Sequence, residues 1–249
     1  MAGESSAGRG AIGGRGPTAA PGARFLLLGA ACLVAHTEHP GDSHSVDARE
    51  LLERMSHVYG VCRSYQDVGR TETPTESKGR WSATPQTFRT VFVRPDRFRF
   101  EFWERGKRYV VWRHGADVRT WWDLEPIVER PASLHEALGP AIGVTARTAN
   151  TIAVLLMRDE LSGWSRLNEL ENPSRLPDER LGQTECFRVQ GRLDGSMRTL
   201  WLDKGTLLIR RVEEQLPFAF APKATTTYDA AVDRDIAESA LAFGAGGQQ

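Results

Sequence analysis

The sequence predicts a mainly β protein, an antiparallel sheet that curls around a small helical component. Three observations carry this. Short runs of alternating apolar and polar residues follow one another at hairpin spacing, with Gly, Asp and Pro between them. Eleven of the 21 aromatic residues lie between Trp81 and Trp122. A stretch without β alternation, residues 126–163, separates two runs of strands.

The chain has 249 residues, 40% of them hydrophobic and 26% charged. That supplies one sizeable core, and a single β domain can reach about 200–250 residues. Lys+Arg and Asp+Glu are both 32, and no basic stripe breaks the balance. Nucleic acid is therefore not an expected partner, since its binders carry a basic excess or a basic face.

Residues 1–22 are rich in Gly, Ala and Ser. Arg24 then precedes an apolar run of 11 residues, Phe25 to Ala35. A basic flank, a short apolar run and polar sequence beyond it read as an export signal. The run is too short to span a bilayer, which takes about 20 residues. Gly29-Ala30-Ala31-Cys32 has the outline of a bacterial lipidation box, with Gly29 where Leu is usual. Lipidation of Cys32 and plain cleavage near Ala35 both remain open. Removing residues 1–35 leaves 29 basic and 31 acidic residues, so the remainder is close to neutral. The expected location is the periplasm or cell envelope, with membrane contact open and no transmembrane span. The expected organisation is a disordered lead and signal over 1–35, a linker over 36–45, one domain over 46–243 and a disordered tail over 244–249. Cys62 and Cys186 would remain after export, and the oxidising compartment makes a disulfide between them an expectation beside two buried thiols.

The first element of the domain is a helix. Asp47 with Glu50 fits a capping box, and Leu51, Leu52, Met55, Val58, Tyr59 and Cys62 repeat at helical spacing. Strands follow: Ser64 to Glu72, a weaker one from Trp81 to Gln86, and Phe88 to Arg94. Phe98, Phe100 and Phe102 share one face of the next strand, with Arg99 and Glu101 on the other. Arg105-Gly106-Lys107 and His114-Gly115-Ala116 read as turns around strands Arg108–Arg113 and Asp117–Asp123. Ser133 and Glu136 form a second capping box, opening a short helix that ends near Gly139. A further helix, Arg147 to Arg158, carries Ile152, Leu155 and Leu156 as an apolar stripe. Gly139, Pro140 and Gly143 would joint the two. Strands resume near Arg180: Cys186–Arg192, the turn Asp194-Gly195, Met197–Leu202, a long strand Thr206–Gln215, and Lys223–Tyr228.

A sheet with so many large rings needs cover on one face. The helices can provide it, as an ordinary packed core or as the wall of a cavity. The order of helix, Ser64-Tyr65-Gln66-Asp67-Val68-Gly69, then Phe88-Arg89-Thr90-Val91-Phe92-Val93-Arg94-Pro95-Asp96-Arg97-Phe98-Arg99-Phe100-Glu101 resembles the LolA-like lipoprotein-carrier superfamily. Thr225-Thr226-Thr227-Tyr228-Asp229, with Ile236 and Phe243 beyond, is similar to that family's closing segment. The resemblance spans Val46 to Phe243. It implies an unclosed antiparallel β-barrel covered by a helical lid, with acyl chains between. On this reading Phe88, Phe92, Phe98, Phe100, Phe102, Ile152, Leu155 and Leu156 line a hydrophobic ligand cavity. The implied partners are a lipid or an acylated lipoprotein. A regulatory module of the same fold, binding an envelope protein, is the alternative.

No catalytic constellation emerges. Gly8-Arg9-Gly10-Ala11-Ile12-Gly13 matches a dinucleotide pattern but sits in Gly-rich sequence with no preceding strand. His36, His39 and His44 read as solvated residues, because a metal site needs fixed ligand geometry. Glu213 and Glu214 alternate onto opposite strand faces and cannot act on one bond. Arg97 and Arg99 read as a solvated face, or as contacts to anionic headgroups. No enzyme activity, metal or cofactor is expected.

Overall fold

The structure is a computed structural model and describes residues 46–145, 147–216 and 222–244. The apolar run, Cys32, His36, His39, His44 and residues 245–249 lie outside the described residues.

Helix α1 (Ala48–Val61) comes first, with the Asp47 carboxylate accepting a hydrogen bond from the Arg49 amide at 3.3 Å. Leu51, Leu52, Met55 and Tyr59 follow one stripe and are fully buried. Six strands run on in sequence: β1 (Ser64–Ser77), β2 (Arg80–Val93), β3 (Arg97–Glu104), β4 (Lys107–His114), β5 (Asp117–Trp122) and β6 (Glu125–Glu129). Three helices follow, α2 (Leu134–Val144), α3 (Thr148–Thr151) and α4 (Ala153–Leu156), and then a 3-10 turn at Leu167–Glu169. The second set of strands is β7 (Glu171–Leu181), β8 (Thr184–Leu193), β9 (Ser196–Asp203), β10 (Ile209–Glu214) and β11 (Ala224–Val232), before α5 (Glu238–Leu241).

All eleven strands form one antiparallel sheet in the order β6-β5-β4-β3-β2-β1-β11-β10-β9-β8-β7. Each set is a meander, and the two meet where β1 pairs β11, from Tyr65 opposite Val232 to Glu72 opposite Thr225. Strands β6 and β7 end the sheet unpaired to each other, so the barrel is unclosed. Several tight turns have both central residues at positive φ: Lys78 (52°) and Gly79 (71°), Arg105 (50°) and Gly106 (76°), Asp194 (51°) and Gly195 (79°). That mirror-image turn matches the twist of the strands it joins.

Alternation divides the sheet into two faces. The concave face carries Tyr65, Phe88, Phe92, Phe98, Phe100, Phe102, Leu200 and Leu202, which share one core with α1 and the α2–α4 region. At its centre the register sets Phe88, Gly69 and Tyr228 side by side. The rings of Phe88 and Tyr228 meet edge to face at 5.4 Å, and Phe88 lies over the glycine. A Cβ on Gly69 would sit 2.0 Å from Phe88 Cζ. The glycine is there because the ring occupies its side-chain space.

The convex face has its own apolar group of Val110, Trp112 and Trp121, with Phe243 packed on it. The C-terminal segment crosses this group. Trp112 Nε1 donates to the Leu241 carbonyl at 2.6 Å, Arg99 to Ala242 at 2.6 Å, and Arg108 to Gly244 at 2.7 Å.

Several expectations are corrected here. The Arg147–Arg158 helix is two four-residue helices broken at Ile152. The helix opening at Ser133 runs through Gly139 and Pro140 to Val144 instead of ending near Gly139. Its buried stripe Leu134, Ala137, Leu138 and Ala141 spans the proline and keeps both turns in line. The glycines and proline are therefore inside a helix and form no joint. The strand expected from Thr206 starts at Ile209, because the Asp203 carboxylate accepts from the Gly205 and Thr206 amides and prolongs the turn. Arg99 and Glu101 do oppose the Phe triplet, but Glu101 is only 5% exposed and takes hydrogen bonds from Arg99 at 2.8 Å and Arg108 at 3.3 Å. This is a buried, paired cluster under the C-terminal segment, not a solvated face. Arg97 pairs with Glu238.

Cys62 and Cys186 are both free and buried, so the expected disulfide is not formed. Cys62 ends α1 with its thiol on the Tyr59 carbonyl at 3.3 Å. Cys186 is an odd number of residues from Val189 and Leu193, which join the concave core, and so points to the opposite face. A sheet stands between the two thiols.

Replacing Gly69 with Ala should lower stability by about 1–3 kcal/mol, because the Phe88 ring must leave its position. Thermal denaturation followed by near-UV circular dichroism checks this; an unchanged melting temperature would mean the ring has free room to move.

Candidate ligand-binding site

The expected site residues come together. In the β2–β3 register Phe88 faces Phe102 and Phe92 faces Phe98, with Thr90 opposite Phe100 between them. All five rings are at most 1% exposed. Phe88 and Phe100 stack diagonally with centroids 6.1 Å apart. Above them lie Ile152, Leu155 and Leu156, also at most 1% exposed and part of the same core. In this conformation the rings and the helices fill the space between them. The cavities that border this core lie at its margins. One of about 240 Å³ is lined by Phe102, Tyr109, Trp122, Leu124 and Val144, beside α2. Another of about 480 Å³ lies by His57, Arg94, Leu156 and Arg166, at the ends of α1 and α4.

A small number of polar contacts holds the helical cover down. Arg94, at the end of β2, donates to the carbonyls of Cys62 at 3.0 Å, Tyr59 at 3.3 Å and Leu156 at 3.2 Å. One guanidinium thus satisfies the carbonyl ends of both α1 and α4, which have no helical partners of their own. The Tyr59 hydroxyl accepts from the Ile209 amide at 3.0 Å. Arg49 donates to the Asn168 and Leu170 carbonyls at 3.3 and 2.9 Å.

The apolar face also contains a carboxyl group. Asp67 is 2% exposed; its oxygens accept from the Thr90 amide at 2.8 Å and the Tyr65 hydroxyl at 2.6 Å. Tyr59 packs on Tyr65 with centroids 5.6 Å apart. Burial pushes Asp67 up to about 7, against the lowering effect of its two hydrogen bonds. Burial likewise raises Tyr59, Tyr65 and Tyr228 far above the ordinary tyrosine range.

Tyr65, Asp67, Arg94, Tyr109 and Tyr228 belong to this site beyond the residues expected from the sequence. Tyr65, Asp67 and Gly69 alternate onto one strand face, a signal that was available; nothing local marks Arg94. Among the described residues no three His, Cys, Asp or Glu side chains are grouped to hold a metal ion. His114 packs on Trp112 and His135 on Trp164, at 6.2 and 4.7 Å.

No protein-family model and no curated protein matches the chain. Solved structures are similar to it at low identity. An uncharacterized conserved protein from Thermus thermophilus aligns with a TM-score of 0.47 and 13% identity, over 78% of this chain and 91% of that one. MucB, in its complex with MucA from Pseudomonas aeruginosa, gives 0.46 and 15%, over 80% of this chain and 61% of that one. A LolA superfamily protein from Nitrosomonas europaea gives 0.33 and 14%, over 80% and 99%.

The Asp67 carboxyl holds its proton more tightly in the folded chain than at its ordinary value of 3.8. The stability it contributes is fully present below about pH 4 and is lost as the pH rises through about 7. Asp67→Asn retains hydrogen-bonding groups towards Thr90 and Tyr65 and cannot ionise. Its stability should match the wild type near pH 4 and exceed it at pH 8, by on the order of 2–4 kcal/mol. Parallel melting curves across that range check this; parallel pH profiles for the two proteins would place the ionisation elsewhere.

Proposed function

We propose that this chain is an exported, non-enzymatic binding protein that carries or chaperones an acyl chain, of a lipid or a lipoprotein, in the cell envelope. The observation that carries the reading is the mismatch between the concave face and its cover. The face is a continuous field of large rings on β2 and β3. The cover over it includes two four-residue helices, too short to be stable without tertiary contacts. Arg94 ties the end of α4 to the sheet through the carbonyl of Leu156, and Arg113 of β4 pairs with Glu160 just beyond it. Such a cover can separate from the rings without unfolding the sheet. An acyl chain entering behind it would replace one apolar contact with another, at little free-energy cost.

The second reading is a regulatory module that binds an envelope protein. It is favoured by β6, whose outer edge has no partner strand among the described residues and whose five residues are all exposed, with Ile127 at 69% and neighbouring Leu124 at 55%. An exposed apolar edge strand is a ready surface for strand addition. No helix among the described residues is long and apolar enough to cross a membrane.

Native mass spectrometry of gently purified protein, with titration of a fluorescent acyl probe, tests the carrier reading. Bound lipid or probe uptake is the expected outcome. Protein that is always lipid-free and leaves the probe dark, yet recovers one stable protein partner from envelope fractions, would transfer the assignment to the second reading. Leu155→Asp places a charge against the rings. It should reduce probe uptake by tenfold or more at temperatures where circular dichroism shows the sheet intact. A lowered melting temperature with unchanged uptake would show that α4 is only core.

A further inference from the structure

One charged side chain inside the fold is left with most of its hydrogen-bonding capacity unused. Arg198 projects from β9 onto the concave face, between Gly191 of β8 and Glu214 of β10. The residue is 7% exposed. Among the described residues its one partner is Glu214, at 3.4 Å from Nη2, and its buried Nε has none. Of the guanidinium donors it is Nε–H that is shut away from water without a partner, and leaving such a group unpaired is costly.

The side chain opens onto a cavity of about 220 Å³, lined also by Ile142, Arg147, Asn150, Thr151 and Trp164. Asn150 Oδ1 is likewise buried without a partner. At the mouth Arg147 pairs with Asp194 at 3.3 Å, and Ser165 donates to the same carboxylate at 2.5 Å. Arg147 and Arg198 are thus balanced by Asp194 and Glu214. The site has donors to offer but no surplus positive charge, and an anion entering it would meet the carboxylate of Glu214. A neutral acceptor oxygen fits; a carboxylate or phosphate fits less well. The cavity is also close to the rings. Thr151, on its wall, donates to the Arg147 carbonyl at 2.9 Å and lies near Tyr228, and Tyr228 packs edge-on against Phe88 at 5.4 Å.

We infer that this cavity seats the neutral carbonyl at the head of an acyl chain, an ester or an amide, with Arg198 Nε–H and Nη–H donating to its oxygen and the hydrocarbon running past Tyr228 to the Phe-rich face. The inference rests on the acyl-carrier reading and gives that site a polar end. Trp164 and Ile142 flank the head group, and the Asn150 side-chain oxygen accepts from an amide N–H where one is present.

The test uses the whole chain, labelled with 15N-arginine, and three probes of equal chain length: methyl palmitate, palmitate and hexadecane. The Arg198 Nε–H resonance is assigned by its loss in Arg198→Met. It should move on addition of methyl palmitate and stay in place with hexadecane. Arg198→Met should bind methyl palmitate about tenfold more weakly, a loss of about 1.4 kcal/mol, and hexadecane as well as the wild type does. If Arg198→Met fails to fold, Arg198→Lys, which keeps a positive charge beside Glu214, supplies the assignment, and the shift of the wild-type resonance decides alone. A resonance indifferent to the ester, bonded to water only, overturns the inference and leaves the carrier reading standing. Tighter binding of palmitate than of its ester makes the site an anion site and overturns the neutral-carbonyl assignment. Failure of all three probes to bind overturns the carrier reading, and this inference with it.

Discussion

The pairing of β1 with β11 is the constraint on which the rest of this structure depends. Each meander folds from neighbouring strands through short turns, which cost little entropy to close. The ladder from Tyr65–Val232 to Glu72–Thr225 instead joins residues that are far apart in the chain. Only when it forms do the two meanders share a concave face. Its register sets Gly69 beside both Phe88 and Tyr228. The missing side chain lets those two rings meet across the junction, so the seam is apolar and closely packed on its inner side. A slip of one residue would turn every side chain of β1 to the other face.

The two faces of the sheet are covered by different means. Inside, α1 and the short helices bring aliphatic side chains against rings, and the interface is mainly dispersion and area removed from water. Outside, arginines lie on aromatic rings: Arg119 over Trp112 at 5.1 Å, Arg108 over Trp121 at 4.9 Å, and Arg188 and Arg211 over Trp201 at 5.0 and 5.2 Å. A guanidinium plane shields a ring while its own edge stays available for hydrogen bonds. Arg108 uses that edge for Glu101 and the Gly244 carbonyl, and Arg99 bonds Glu101 and the Ala242 carbonyl alongside it. The convex face is thereby fastened by directional bonds. The concave face is held mainly by apolar contacts, which have no such direction.

Polar groups within the concave core mark where that lack of direction stops. Hydrogen bonds of 2.6 to 3.0 Å join α1 to β10 through Tyr59, and β1 to β2 through Tyr65 and Asp67, and the packed rings of Tyr59 and Tyr65 link the two groups. Such a network holds one arrangement of its members and resists sliding. It lies under α1, whereas the β3 rings face Val111 and Tyr109 on β4 and extend towards the cavity beside α2. The core therefore has a fixed portion around α1 and a mainly apolar portion towards β3 and β4.

What the sequence by itself determined are the features written in local order. Alternation placed Phe98, Phe100 and Phe102 on one face and Arg99 and Glu101 on the other. Helical spacing marked α1, Ser133 marked the start of α2, and Asp-Gly marked the β8–β9 turn, because side-chain period and turn geometry depend on a few adjacent residues. Only the tertiary structure decided which distant segment covers each face. Arg99 could not be distinguished from a solvated arginine until Ala242 lay across it. Cys62 and Cys186 looked like partners until the sheet came between them. The helix over 147–158 was broken at Ile152, and Arg198 acquired its cavity, through contacts with residues remote in sequence. Such contacts depend on register, crossing and burial across the whole chain, and these are settled only when β1 and β11 meet.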